Sequence, residues 1–127
     1  MIKTMKEDYV SFEIAKLLKE KGFNEYVEWA YRYFAENNIC VIHINEKPAS
    51  TLIENCYPYV TLQMAMKWLR ERYKLNIIIS VDDLDWFYSI IDYTHKDDVK
   101  LLKDLAGFNS YESACEAAII ECLTNLI

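Results

Sequence analysis

An α+β fold is what the sequence predicts: a small, mainly antiparallel sheet of three to four strands, with a hairpin over 75–93, packed with three or more helices. Three observations carry this expectation. Residues 61–74 repeat apolar side chains at helical spacing, and residues 110–125 do so again. Between them, 75–81 and 86–93 form two apolar runs separated by Asp82, Asp83, Leu84 and Asp85, the polar punctuation of a hairpin. Strand and helix signals that follow one another without strict βαβ alternation favour α+β over a parallel sheet.

A chain of 127 residues is long enough for one core and short for two, so residues 1–127 read as a single domain. Apolar residues make up 53%, and Gly and Pro number two each, so folding throughout is expected. Gly22 and Gly107 alone cannot write a G-x-G-x-x-G fingerprint or a P-loop, which argues against the common nucleotide folds. No apolar run reaches about 18 residues, and Met1 to Asp8 is charged rather than a signal core, so a cytoplasmic protein without a membrane span is expected. In that reducing setting Cys40, Cys56, Cys115 and Cys122 are expected to be free and to pack as small apolar residues.

Ser11 to Lys21 places Ile14, Leu17 and Leu18 on one helical face, with Ser11 as N-cap, Gly22 as the left-handed stop and Phe23 folded back. Asn24 to Glu36 fits two templates. Tyr26, Trp29, Ala30, Tyr33 and Phe34 make a helical face, while Val27, Trp29, Tyr31 and Tyr33 alternate as in a strand. Length and the Asn24-Glu25 start favour the helix; aromatic content favours the strand. Ile39 to Ile44 alternates as a strand after an Asn37-Asn38 turn, and 51–60 reads as irregular. Thr61 caps the central helix, whose Leu62, Ala65, Met66, Leu69 and Tyr73 face inward with Trp68 at the border. Asp97 to Leu105 is expected to form a short helix ended at Gly107, and Ser110 to cap the last helix, with Cys115, Ala118, Ile119, Cys122 and Leu126 in one stripe.

The run Thr61-Leu62-Gln63-Met64-Ala65-Met66-Lys67-Trp68-Leu69-Arg70-Glu71, the strand Trp86-Phe87-Tyr88-Ser89-Ile90 and the tail Phe108-Asn109-Ser110-Tyr111-Glu112-Ser113-Ala114 with Ala117-Ala118-Ile119 resemble a group of short uncharacterised proteins. That group comes from gut bacteria, their phages and integrated mobile elements. The resemblance covers the second half and the first helix, and implies a mobile-element context with no assigned activity or site residues.

The chemical candidates fall to simple geometry. Cys40 and His43 have metal half-site spacing, but three residues apart on a strand they face opposite ways. Cys115 and Cys122 share a helical face roughly 10 Å apart, too far for one zinc. Asp82, Asp83 and Asp85 suit a turn better than a calcium loop, lacking its later Gly and Glu. Asp92 with Asp98 and Lys100 faintly resembles a nuclease carboxylate set, without an evident second strand to hold it. His43 and His95 are the only imidazoles, with no strained nucleophile elbow beside them. No catalytic residue, metal or cofactor is expected, and the reading is non-enzymatic.

Charge is the strongest functional hint. Lys67, Arg70 and Lys74 share one helical face, Arg72 adds a cation and Glu71 the lone carboxylate, giving the helix +3 in a chain of net −6. The sequence therefore reads as an accessory interaction module that binds another protein through Lys67, Arg70, Arg72 and Lys74 together with exposed aromatics Trp86 and Tyr88. Nucleic-acid binding through the same basic face is the alternative, disfavoured by the overall negative charge. The strand 86–93, apolar on both faces, needs cover on both sides, and a homodimer would supply it.

Overall fold

The computed structural model describes residues 8–127; the charged segment read as lacking a signal core lies mostly outside the described residues. Helices α1 (Phe12–Glu20), α2 (Leu62–Tyr73) and α3 (Tyr111–Glu121) combine with strands β1 (Tyr26–Ala35), β2 (Asn38–Pro48), β3 (Cys56–Pro58), β4 (Leu75–Asp82), β5 (Asp85–Asp92) and β6 (Lys100–Phe108). The α+β class is as predicted, but the strands divide into two antiparallel three-stranded sheets, ordered β2-β1-β3 and β4-β5-β6.

Local chemistry sets the helix ends. The hydroxyl oxygens of Ser11, Thr61 and Ser110 accept from the amides of Ile14, Met64 and Ser113 at 3.2, 3.1 and 3.1 Å, satisfying donors that each first turn leaves open. After α1, the Gly22 N–H donates to Leu18's neighbour Lys19 (3.1 Å) and the Phe23 N–H to Leu18 (2.9 Å), with Gly22 at φ 84°. This Schellman pair turns Phe23 back onto Trp68, their rings 5.3 Å apart. α3 continues as a π-helical turn over Cys122–Leu126 that carries the buried Cys122 and Leu123.

One apolar cluster joins the helices to the second sheet and reaches Val27 of the first. Ile14, Ala15 and Leu18 of α1, Leu62, Ala65, Met66, Trp68 and Leu69 of α2, and Cys115, Ala118 and Ile119 of α3 close over Leu75, Ile77, Tyr88 and Ile90. β4 and β5 form the predicted hairpin in continuous register from Leu75↔Asp92 to Asp82↔Asp85. Asp83, first of the two loop residues, takes φ 53°, a conformation an Asp side chain tolerates by bonding locally.

Two segments depart from expectation. Residues 24–36 are strand β1, not the favoured helix: the alternating aromatics find partners on both sides, in β2 and in the short β3 that lies inside the supposedly irregular 51–60. Residues 97–105 are not a helix either but lead into β6, which pairs with β5. The register skips at Leu102 and Gly107, where an extra residue stands against β5. A bulge breaks the period of two, so Leu101, Leu102 and Leu105 mimic helical spacing, and Gly107 at φ 98° is a bulge residue rather than a helix stop.

Candidate interaction surface

α2 runs beside β4 and presents its cations outward. Lys67, Arg72 and Lys74 are exposed and Arg70 is half-buried, while Leu62, Ala65, Met66, Trp68 and Leu69 are buried. The predicted inward stripe and outward basic face are both present. Among the described residues none of the four cations forms an ion pair; the salt bridges join His43 to Glu28 (3.2 Å), Lys100 to Asp98 (3.8 Å) and Lys103 to Glu121 (3.3 Å). The helix end is fixed by Lys74, left-handed at φ 59°, whose N–H donates to Arg70 and Leu69, and by the Tyr93 hydroxyl, which donates to the Arg70 carbonyl at 2.7 Å.

The two candidate aromatics separate. Trp86 is half-buried and stands edge-on to Tyr111, centroids 5.8 Å apart. Gln63 of α2 donates to the Tyr111 hydroxyl at 3.0 Å, and Gln63, Lys67, Arg70 and Lys74 follow one face of the helix, so Trp86 lies at the head of the basic stripe. Tyr88, expected to be exposed, is 2% exposed and packs in the core against Phe108. It alternates onto the same face as Trp86, but two pairs further from the hairpin tip, where α3 covers the sheet. Burial, with Glu121 and Cys122 nearby, raises the Tyr88 phenol above its ordinary pKa. Tyr88 is therefore a core residue and leaves the binding set. Nothing in the sequence spacing signals Gln63 or Tyr111, which connect Trp86 to α2 only through the fold.

The other candidates take local roles. Cys40 pairs with Arg32 and His43 with Trp29 across β1, on opposite faces as the spacing required. His43 stands against the Trp29 ring and its imidazole Nε2 lies 3.2 Å from Glu28. Cys56, Cys115 and Cys122 are buried; Cys40 departs from the expectation and is exposed. Burial pushes the Cys115 thiol up to about 11 and the Cys122 thiol up to about 12. β6 does supply a second strand opposite Asp92, placing Lys100 across from it. The Asp92 carboxylate, however, accepts from the Thr94 amide (2.9 Å) and hydroxyl (2.6 Å), which hold its pKa below the usual carboxylate value. Asp82, Asp83 and Asp85 line a shallow hollow of about 410 Å³ with Leu84, Phe87 and Ala106 at the hairpin tip. Among the described residues, no three His, Cys, Asp or Glu side chains stand close enough to hold a metal ion, and no helix is long and apolar enough to cross a membrane.

Compared with protein-family models, curated proteins and solved structures, the chain matches none of them.

Proposed function

We propose that this protein is a small, non-enzymatic accessory module of a mobile element that binds an acidic segment of another protein along α2. The observation that carries this reading is the stripe from Trp86 through Lys67, Arg70 and Lys74: three cations without an ion-pair partner among the described residues, headed by a half-buried indole, while Arg72, two residues from Arg70, leaves the helix on another side and lies over the Tyr73 ring. Cations that hold no internal carboxylate have their hydrogen-bond donors free for a partner, and an aromatic at the end of the stripe supplies the desolvated anchor that interfaces favour. The chain's net charge of −6 concentrates attraction for carboxylates on this one helix.

The test is capture of a protein partner on the immobilised chain, with an acidic peptide and duplex DNA as defined probes. Partner and peptide are expected to be retained, and lost with Lys67→Glu plus Arg70→Glu and with Trp86→Ala. A partner that survives both changes overturns the assignment to this face. DNA retained at low salt and released by added salt in place of the peptide would instead assign the stripe to phosphate contacts.

A further inference from the structure

The second sheet has two margins, and they are built differently. β6 exposes Leu101, Leu102 and Leu105, but it is interrupted at Leu102 and Gly107 and carries Lys100 and Lys103, features that keep an edge from pairing. β4 pairs with β5 without a shift over its whole length, and presents Ile78 at 39% and Val81 at 54% exposure. Its backbone polarity can be read from one bond. The Tyr93 N–H donates to the Lys74 carbonyl at 3.1 Å, so by antiparallel alternation Asn76, Ile78 and Ser80 turn their backbone groups toward β5. Leu75, Ile77, Ile79 and Val81 turn theirs away, toward a margin at which no strand pairs among the described residues.

We propose that a second copy of this chain pairs antiparallel along β4, with Ile78 opposite Ile78 of the partner subunit on a two-fold axis normal to the sheet. Such an axis keeps the two core faces on one side, so opposed residues must share a face. The register centred on Ile78 meets that requirement. Leu75 meets Val81, Asn76 meets Ser80 and Ile77 meets Ile79, apolar against apolar and polar against polar. The outward-turned residues oppose one another in hydrogen-bonded pairs, and Ile78 falls on a non-hydrogen-bonded pair, where side chains approach closest. At each end Lys74 meets Asp82 of the partner subunit, and neither residue has an ion-pair partner among the described residues of its own chain. Charge selects this register over its neighbours: centring on Ile77 sets Lys74 against Ser80, and centring on Ile79 sets Asn76 against Asp82. The self-association expected from the two apolar faces of 86–93 takes another form here, edge to edge, and the pairing shares only Lys74 with the basic stripe of α2.

Sedimentation of the full chain is expected to give twice the mass of the 15.1 kDa subunit. Ile78→Lys sets two ammonium groups face to face at the axis and is expected to return the chain to a monomer with an unchanged circular dichroism spectrum. Lys74→Glu is expected to raise the dimer dissociation constant about tenfold, and adding Asp82→Lys to restore it. In a Cys40→Ser background, Ile78→Cys is expected to give a disulfide-linked dimer on oxidation while Asn76→Cys does not. Lys67→Glu plus Arg70→Glu should leave the mass doubled, which separates this proposal from the partner-binding reading. A chain that sediments as a monomer throughout overturns the pairing. So does a dimer that survives Ile78→Lys and fails to cross-link in the Ile78→Cys variant.

Discussion

The two sheets are attached to the rest of the molecule by different balances of apolar and directional contacts. The second lies under a closed aliphatic layer: α3 contacts β4, β5 and β6, and Ile90, Ile119, Leu69 and Leu123 are fully buried. The first reaches the same apolar cluster through Val27, and is held in addition through α1 by directional contacts. Phe12 stands edge-on to Tyr31 and Tyr57 at 5.6 and 5.2 Å, and parallel to Tyr33 at 6.0 Å. The Lys19 ammonium donates to the carbonyls of Ile53, Glu54 and Cys56 at 2.9, 3.1 and 2.8 Å, and lies 4.8 Å from the Tyr57 ring centre. The first sheet also holds Arg32, whose buried Nε has no hydrogen-bond partner among the described residues. Apolar area tolerates imprecise geometry, whereas charged hydrogen bonds and ring contacts depend on position. The difference teaches that the second sheet should set global stability while the first opens locally and sooner.

The largest effect expected is at Tyr88. Tyr88→Ala should remove about 4 kcal/mol of stability, read as a lowered urea midpoint, because the cavity lies in the shared core. Trp86→Ala, half-exposed at the tip, should cost far less; equal losses would erase the distinction drawn between the two aromatics. Next comes the clamp. Lys19→Met should cost about 1–2 kcal/mol by leaving three carbonyls to water. Its signature is faster hydrogen exchange over 30–33 and 53–58 with 75–92 unchanged, and uniform acceleration would show the two sheets to be one cooperative unit.

Glu116 sharpens the comparison through pH. Burial, with Asp8 and Glu13 nearby, raises its carboxyl pKa, so the folded state holds the proton more tightly than the unfolded one. Stability should therefore rise as pH falls from neutral through the raised value toward the ordinary glutamate value, and Glu116→Gln should flatten that slope. A slope unchanged in Glu116→Gln would place its origin elsewhere. The smallest perturbation is chemical labelling: iodoacetamide should modify Cys40 in the native chain and spare Cys56, Cys115 and Cys122 until denaturant is added. Early modification of Cys115 or Cys122 would show the helical layer opening before the first sheet does.

Legibility in the sequence followed the strength of local signals. Ser11, Thr61 and Ser110 announce helix starts because a hydroxyl there bonds within its own turn. The hairpin was equally plain, since Asp82 to Asp85 interrupt two apolar runs. Residues 24–36 were not, because Trp29, Tyr31 and Tyr33 satisfy either period and the choice depends on β2 and β3 lying alongside. Bulged β6 disguised itself for the same reason, its extra Leu102 converting an alternating pattern into a helical one. For the candidate site, the outward cations of α2 followed from the 3.6-residue period, while the burial of Tyr88 depended on where α3 came to rest.

Composition and periodicity alone determined that this chain has an amphipathic, basic central helix leading into an antiparallel ribbon, for both rest on contacts between residues close in sequence. The tertiary structure alone decided that the strands divide into two sheets, that Tyr88 lies inside, that Lys19 grips three carbonyls more than thirty residues away, and which strands stand at the sheet margins among the described residues. Pairing between distant strands contributes nothing to local periodicity, and an edge is defined only by the neighbour it lacks.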